Sequence, residues 1–145
     1  MYTLSENCPR KDVCVQNGKG LIHIKDLTDK EGLYGHGRMF SHVTVDPGCS
    51  IGYHNHEHET EFYYIIKGEA VFNDDGKEVI VHAGDICATG YGQHHGLENR
   101  TEEPVELIAL IVMEGSPSKK ERPGRSFFVS RGGSSLRPVV FSENF

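Results

Sequence analysis

The sequence predicts an all-β chain, a sandwich or barrel of short antiparallel strands. Seventeen glycines and six prolines in 145 residues supply the backbone freedom and fixed φ angles that tight turns need. Apolar and polar residues alternate at period 2 in short runs. Turn signals separate those runs at intervals of about 8–12 residues.

In chain order, residues 21–24 (LIHI) read as a first strand. Residues 40–45 form a second, with Val43 and Val45 on one face, closed by Asp46-Pro47-Gly48. Residues 51–56 and 61–66 follow, the latter ended by Gly68. Strands at 70–73 and 78–81 flank Asp74-Asp75-Gly76, a hairpin signal. After the turn Ala83-Gly84-Asp85 comes a strand at 86–89. The loop Gly90-Tyr91-Gly92 leads into a strand near His95, and residues 105–113 make a long final strand. Helical periodicity is weak throughout; residues 28–31 suffice only for a short turn.

Apolar residues at 37% and charged residues at 25% allow a modest core and argue against disorder overall. The length suits one domain. Residues 1–115 are expected to form the barrel with an N-terminal strand segment. Residues 116–145, with SPSKKERPGRS and RGGSSLRP, read as a basic Pro/Ser/Gly-rich tail. Two apolar clusters, Phe127-Phe128-Val129 and Val139-Val140-Phe141, leave two readings of it open, a loose tail or an arm docking on the body or a second subunit. The tail carries six Lys/Arg against two Glu, a net +4, and residues 1–115 nine Lys/Arg against nineteen Asp/Glu, a net −10. A body this acidic repels phosphate backbones, which argues against nucleic-acid binding.

The longest apolar run, LIALIVM at 107–113, has seven residues, far short of the roughly 20 that cross a bilayer. MYTLSENCPRKD carries no signal-peptide stretch. Membrane insertion and export are therefore not expected, and a cytoplasmic location is. Cys8, Cys14, Cys49 and Cys87 show no Cys-x-x-Cys spacing and read as reduced thiols.

Chemistry concentrates in HNHEHETE, residues 54–61. His54 and His56 are two apart in a strand-like stretch and so share a face. Imidazoles on one face with a carboxylate nearby are donors that first-row divalent metals prefer. A second dense spot, His94-His95, follows some forty residues later, and antiparallel pairing can bring the two together. Spacing alone leaves open which of His94 and His95 points inward, and which of Glu57, Glu59 and Glu61 is the carboxylate. His23, His36, His42 and His82 read as ordinary polar residues.

These residues resemble the cupin superfamily. Gly48, five residues, His54, one residue, His56, four residues, Glu61, six residues and Gly68 are similar to its first motif. After fifteen residues, Gly84, five residues, Gly90, one residue, Gly92, two residues, His95, three residues and Asn99 are similar to its second. Gly90 stands where the family usually carries proline. The resemblance spans about residues 20–115 and implies a double-stranded β-helix, a jelly roll with its metal inside the open end. It implies His54, His56, Glu61 and His95 as metal ligands, and thus chooses Glu61 and the inward His95, leaving His94 at the rim. It also implies a homodimer, for which Phe62, Tyr64 and Ile66 supply an outward apolar row; the alternative is that the N-terminal segment covers this row.

Three imidazoles and one carboxylate leave an octahedral ion two open positions. They suit Mn(II) or Fe(II), with Ni(II), Co(II), Cu(II) or Zn(II) also able to bind. The absence of Cys argues against a closed structural zinc site. Tyr63 and Ile65, in phase with Glu61, are expected to face the pocket. Tyr63 is a candidate catalytic phenol or core filler. His58, taken to be in phase with His54 and His56, is a candidate acid/base or ligand-orienting residue. Tyr53, Tyr91 and Gln93 are candidates for the mouth. The resulting expectation is a metal-dependent cupin enzyme acting on a small polar molecule, of oxygenase, decarboxylase or isomerase type. The alternative is a non-catalytic metal-dependent binding or sensor module.

Overall fold

In the computed structural model, which describes residues 2–115, the period-2 pattern becomes ten strands. They are β1 (Arg10–Val13), β2 (Ile22–Thr28), β3 (Gly37–Val45), β4 (Ser50–Asn55), β5 (Glu59–Lys67), β6 (Glu69–Asp74), β7 (Lys77–His82), β8 (Ile86–Thr89), β9 (His94–Glu98) and β10 (Val105–Met113). The basic tail expected at 116–145 lies outside the described residues. No described helix is long and apolar enough to cross a membrane.

The strands form two sheets, one of six in the order β1-β2-β3-β10-β5-β8 and one of four in the order β4-β9-β6-β7. Every strand pair is antiparallel. This is the all-β jelly-roll architecture expected. In the larger sheet β10 lies between β3 and β5, so Leu107 sits opposite Val43 and Ile65, and Ala109 opposite Ser41 and Tyr63. All are buried, and they pack against Ile51, Phe72 and Leu97 of the smaller sheet. Each fully buried Leu or Ile contributes about 1.5–3 kcal/mol relative to exposure.

The hairpin between β6 and β7 pairs Asp74 with Lys77 across Asp75-Gly76. Both turn residues have positive φ (50° and 89°), a two-residue type I′ turn that suits Asp-Gly. At the end of β9 away from His95, the buried Asn99 donates to the carbonyls of Val45 (2.9 Å) and Glu103 (2.8 Å) and closes that end of the barrel.

Two features depart from the sequence reading. Strand β1 precedes the segment at 21–24 taken as the first strand. Its sequence, RKDV, is mostly exposed and shows no apolar alternation, because an edge strand needs a partner's hydrogen bonds more than a buried face. It sits beyond β2, at the opposite edge from β5 and β8. It therefore does not cover Tyr64 and Ile66, which are exposed. Strand β3 also starts earlier than expected, at Gly37, and carries a bulge: Ile111 pairs with Met39 and Val112 with Gly37, so Arg38 is the extra residue.

Side-chain contacts tie β1 down. Lys11 pairs with Asp26 (3.1 Å), and His23 on β2 bridges Asp12 (2.7 Å) and Asp46 (2.8 Å). Hydrogen bonds to Asp12 and Asp46 raise the His23 pKa above its ordinary value of about 6.5. A group whose folded pKa is raised stabilises below its unfolded pKa, and that contribution disappears as pH rises through the folded value. NMR titration of His23 is thus expected to give a midpoint above 6.5, lowered in Asp12→Asn. A midpoint at or below 6.5 contradicts the bridge.

Candidate metal centre

Register builds the site. In the β4–β9 pair His54 lies directly opposite His95 and Asn55 opposite His94, with a register shift between Ile51 and His54. His56 falls just past the end of β4, where its N–H donates to the Gln93 carbonyl (3.2 Å) and its carbonyl accepts from Gly92 N–H (2.8 Å). Glu61 enters from the other sheet, on β5 between Thr89 of β8 and Ile111 of β10.

Four donor atoms converge here. His95 Nε2 lies 3.0 Å from His56 Nε2 and 3.2 Å from His54 Nε2. Glu61 Oε2 lies 3.0 Å from His95 Nε2, 3.1 Å from His56 Nε2 and 3.9 Å from His54 Nε2. The side chains of His56, His95 and Glu61 are almost wholly buried, whereas His54 keeps 12% exposure and is the one nearest solvent.

The surroundings fix which nitrogens face the cluster. His54 Nδ1–H donates to the Gly52 carbonyl (2.8 Å), and His56 Nδ1–H donates to Glu59 (2.7 Å). Both Nε2 atoms therefore turn toward the shared centre, where each can hold a proton or, with that proton displaced, offer a lone pair to a cation. Glu59 is held in turn by Arg38 through Nε (2.6 Å) and Nη2 (2.5 Å). The His95 ring is fixed by packing, stacked on Tyr63 (centroids 5.0 Å apart) and edge-to-face with Phe72 (5.6 Å). Gly52 is needed because a Cβ there would stand 1.9 Å from the Gln16 carbonyl oxygen.

Electrostatics follow from burial. Burial pushes Glu61 up, but hydrogen bonds from His56 and His95 outweigh it and hold its carboxyl at about 2. Burial lowers His54. It also pushes His56 down, but hydrogen bonds to Glu61 and Glu59 outweigh this and leave its pKa raised. Tyr63 is driven well above its ordinary value by burial and then by the Glu61 charge, so it stays a neutral phenol at physiological pH.

The donor set fits a divalent cation. Two donors bound at right angles about 2.1 Å from one ion stand about 3 Å apart, the spacing seen among most of these atoms. Lone pairs turned toward one another repel unless protons or a cation lie between them, and metal binding replaces such protons. Thr89 Oγ1, on the residue directly opposite Glu61, is buried and has no hydrogen-bond partner among the described residues. Four protein donors leave part of an octahedral sphere open.

Beside the cluster lies a cavity of about 110 Å3. His54, His56, Glu61, Tyr63 and Arg38 line it together with apolar residues such as Ile24 and Ile111. The other sequence candidates lie as follows. His94 is half-exposed, stacks on Tyr53 and faces Asp75 (3.6 Å). Ile65 is fully buried in the core. His58 is not in strand phase with His54 and His56, because β4 ends at Asn55 and His58 has a positive φ of 59°. It stacks on the exposed Tyr91 and pairs with Glu114 (3.2 Å). The residue that orients His56 is Glu59. Sequence reasoning considered Glu59 only as a direct ligand, and it had no signal for Arg38 or for the Gly52 carbonyl.

Fold and donor set together define a jelly-roll protein with a three-histidine, one-carboxylate centre. The family model described as "Cupin domain" matches residues 41–113. An oxalate-binding protein of Thermotoga maritima is 39% identical over 109 residues, 75% of this chain and 90% of that protein. The crystal structure of a predicted oxalate decarboxylase from Thermotoga maritima superposes with a TM-score of 0.75 at 37% identity, covering 78% of this chain and 99% of that one. An RmlC-like cupin from Shewanella frigidimarina shares the fold at 18% identity, with a TM-score of 0.61, over 77% of this chain and 89% of that one. The chain belongs to the cupin family.

Replacing His54 or His95 by Ala is expected to abolish stoichiometric metal in the purified protein while the β circular dichroism signal persists. Glu59→Gln should weaken metal affinity about 10–100-fold, the usual effect of losing a group that orients a ligand. Full metal content in both histidine variants contradicts the assignment.

Proposed function

We propose that His54, His56, Glu61 and His95 hold one divalent metal ion, Mn(II) or Fe(II) by the mix of nitrogen and oxygen donors, and that the site captures a small carboxylate of the oxalate class. The carrying observation is that three of the four donors, His54, His56 and Glu61, stand on the wall of a cavity of about 110 Å3, a volume suited to a molecule of a few heavy atoms. Likeness to the oxalate-binding protein of Thermotoga maritima supports the choice of ligand. A bound divalent ion supplies Lewis acidity toward carboxylate oxygens. The chain's own residues do the rest. Gly52 and Glu59 hold two imidazoles in the binding tautomer, Tyr63 offers a phenolic hydrogen beside Glu61, and the apolar wall limits water.

A second reading, turnover of the bound anion by oxygenase, decarboxylase or isomerase chemistry, draws on the likeness to the predicted oxalate decarboxylase. It requires a group that moves protons near neutral pH. The titratable cavity residues outside the donor set are Arg38 and Tyr63, and both are raised in pKa. A proton would have to come from the rim, where His58 pairs with Glu114. This favours binding without turnover.

Titration calorimetry of manganese-loaded protein with oxalate should give saturable binding of one anion per chain, abolished by prior chelation, with the oxalate recovered unchanged. Release of carbon dioxide or formate would instead establish the enzyme reading. No binding by loaded protein would remove both.

A homodimer and a cytoplasmic location belong to the same reading. Exposed Tyr64 lies between Ile86 and Ile108 on the outer face of the larger sheet, an apolar row suited to a second copy. All four cysteines are free, which suits a reducing compartment. Sedimentation equilibrium should give twice the chain mass, shifted toward monomer by Tyr64→Lys; a wild-type monomer at high concentration contradicts pairing.

A further inference from the structure

We propose that Arg38 is a specificity-determining residue that receives the far end of a small dicarboxylate whose near end meets the ion that the four donors would hold. This rests on the functional reading above and adds to it the residue that selects a second negative group.

A bulge in β3 redirects Arg38. Regular alternation along β3, with Ser41, Val43 and Val45 facing the core, would send residue 38 to the outer face. The ladder with β10 instead passes from Met39 to Gly37 and leaves Arg38 as the extra residue. Bulges re-aim side chains in this way. Arg38 thereby lines the same cavity as His54, His56, Glu61 and Tyr63.

The Arg38 guanidinium is only partly engaged by Glu59. Glu59 engages Nε and Nη2, which use two of the five N–H donors. The Nη1 group and the second Nη2 hydrogen make no hydrogen bond among the described residues. That remaining edge has the fork geometry that matches a carboxylate. Glu59 also holds the planar group in one orientation, so little entropy is left to lose when an anion arrives.

The rest of the cavity offers no other positive charge among the described residues. Beyond the donor set, its polar lining is Gln16, Tyr63 and Arg38, and the remaining walls are apolar, as at Ile22, Ile24 and Val43. Gln16 is an amide and Tyr63 a phenol, and neither side chain carries a positive charge to pair with an anion. Arg38 is the one cationic side chain lining this cavity among the described residues. An uncompensated carboxylate against the apolar walls would bear a large desolvation cost, so the second charge of a dianion has one place to go.

Arg38 also holds Glu59, so the test must separate anion selection from support of His56. Full-length protein saturated with Mn(II) is titrated with oxalate, malonate and acetate by calorimetry, in wild type, Arg38→Met, Arg38→Lys and Glu59→Gln, with bound metal measured in each. Wild type is expected to prefer the dicarboxylates over acetate. Arg38→Met should weaken oxalate and malonate by about tenfold or more, the range for a hydrogen bond between charged groups, while acetate changes less than twofold. Arg38→Lys should fall between. Glu59→Gln should need more metal to saturate yet keep the ratio of dicarboxylate to acetate affinity. A wild-type preference that persists in Arg38→Met overturns the role of Arg38 and leaves the site's function standing. Equal weakening of oxalate and acetate in Arg38→Met and Glu59→Gln assigns Arg38 to the support of His56 alone and likewise overturns it. Wild-type protein that is saturated with metal and binds none of the three overturns both proposals.

Discussion

A carboxylate sits inside an apolar barrel, and much of the structure follows from keeping it there charged. Glu61 is 4% exposed and lines a cavity whose other walls include Ile22, Ile24 and Val43. An isolated ion in such a place would cost many kcal/mol and would take up a proton instead. Here His56 and His95 lie 3.1 and 3.0 Å from its oxygen and more than offset the burial. The barrel must therefore bring three imidazoles to one point. The β4–β9 register, the excursion of His56 beyond β4 and the stacking of His95 against Tyr63 are the means by which it does so.

Converging lone pairs create a second requirement, since they repel one another as long as the centre holds neither proton nor cation. The surrounding hydrogen bonds make the arrangement favour a cation. Gly52 and Glu59 each occupy an Nδ1, so the nitrogens facing inward are the basic ones. The Arg38–Glu59 pair extends this support to the cavity wall, which Arg38 lines. One chain of contacts thus runs from Nε2 of His56, which faces the donor cluster, through Glu59 to the guanidinium edge proposed to meet the ligand. In the proposed reading the same small volume links orientation of the metal ligands to choice of anion.

Much of this was legible in the sequence, and the limits are physical. The hairpin at Asp75-Gly76 and the long final strand follow from local turn chemistry and period 2, which need no knowledge of neighbours. His54, His56, Glu61 and His95 stood out because two spaced motifs resemble a known family, whereas spacing alone could not separate Glu61 from Glu59 or His95 from His94. Strand β1 was invisible as a strand because its exposed RKDV carries no burial signal; its pairing with β2 makes it a strand. Arg38 and His58 were opaque for a related reason. A bulge and a positive φ break the alternation from which side-chain direction is read, and both lie beside the site.

The most direct test is anomalous diffraction from crystals of the manganese-loaded protein, recorded at the manganese edge. The account predicts one strong peak per chain within bonding distance of Nε2 of His54, His56 and His95 and of Glu61 Oε2, its remaining coordination open to solvent or a small anion on the cavity side. A peak elsewhere, or an ion whose whole coordination sphere is filled by protein atoms, would contradict it.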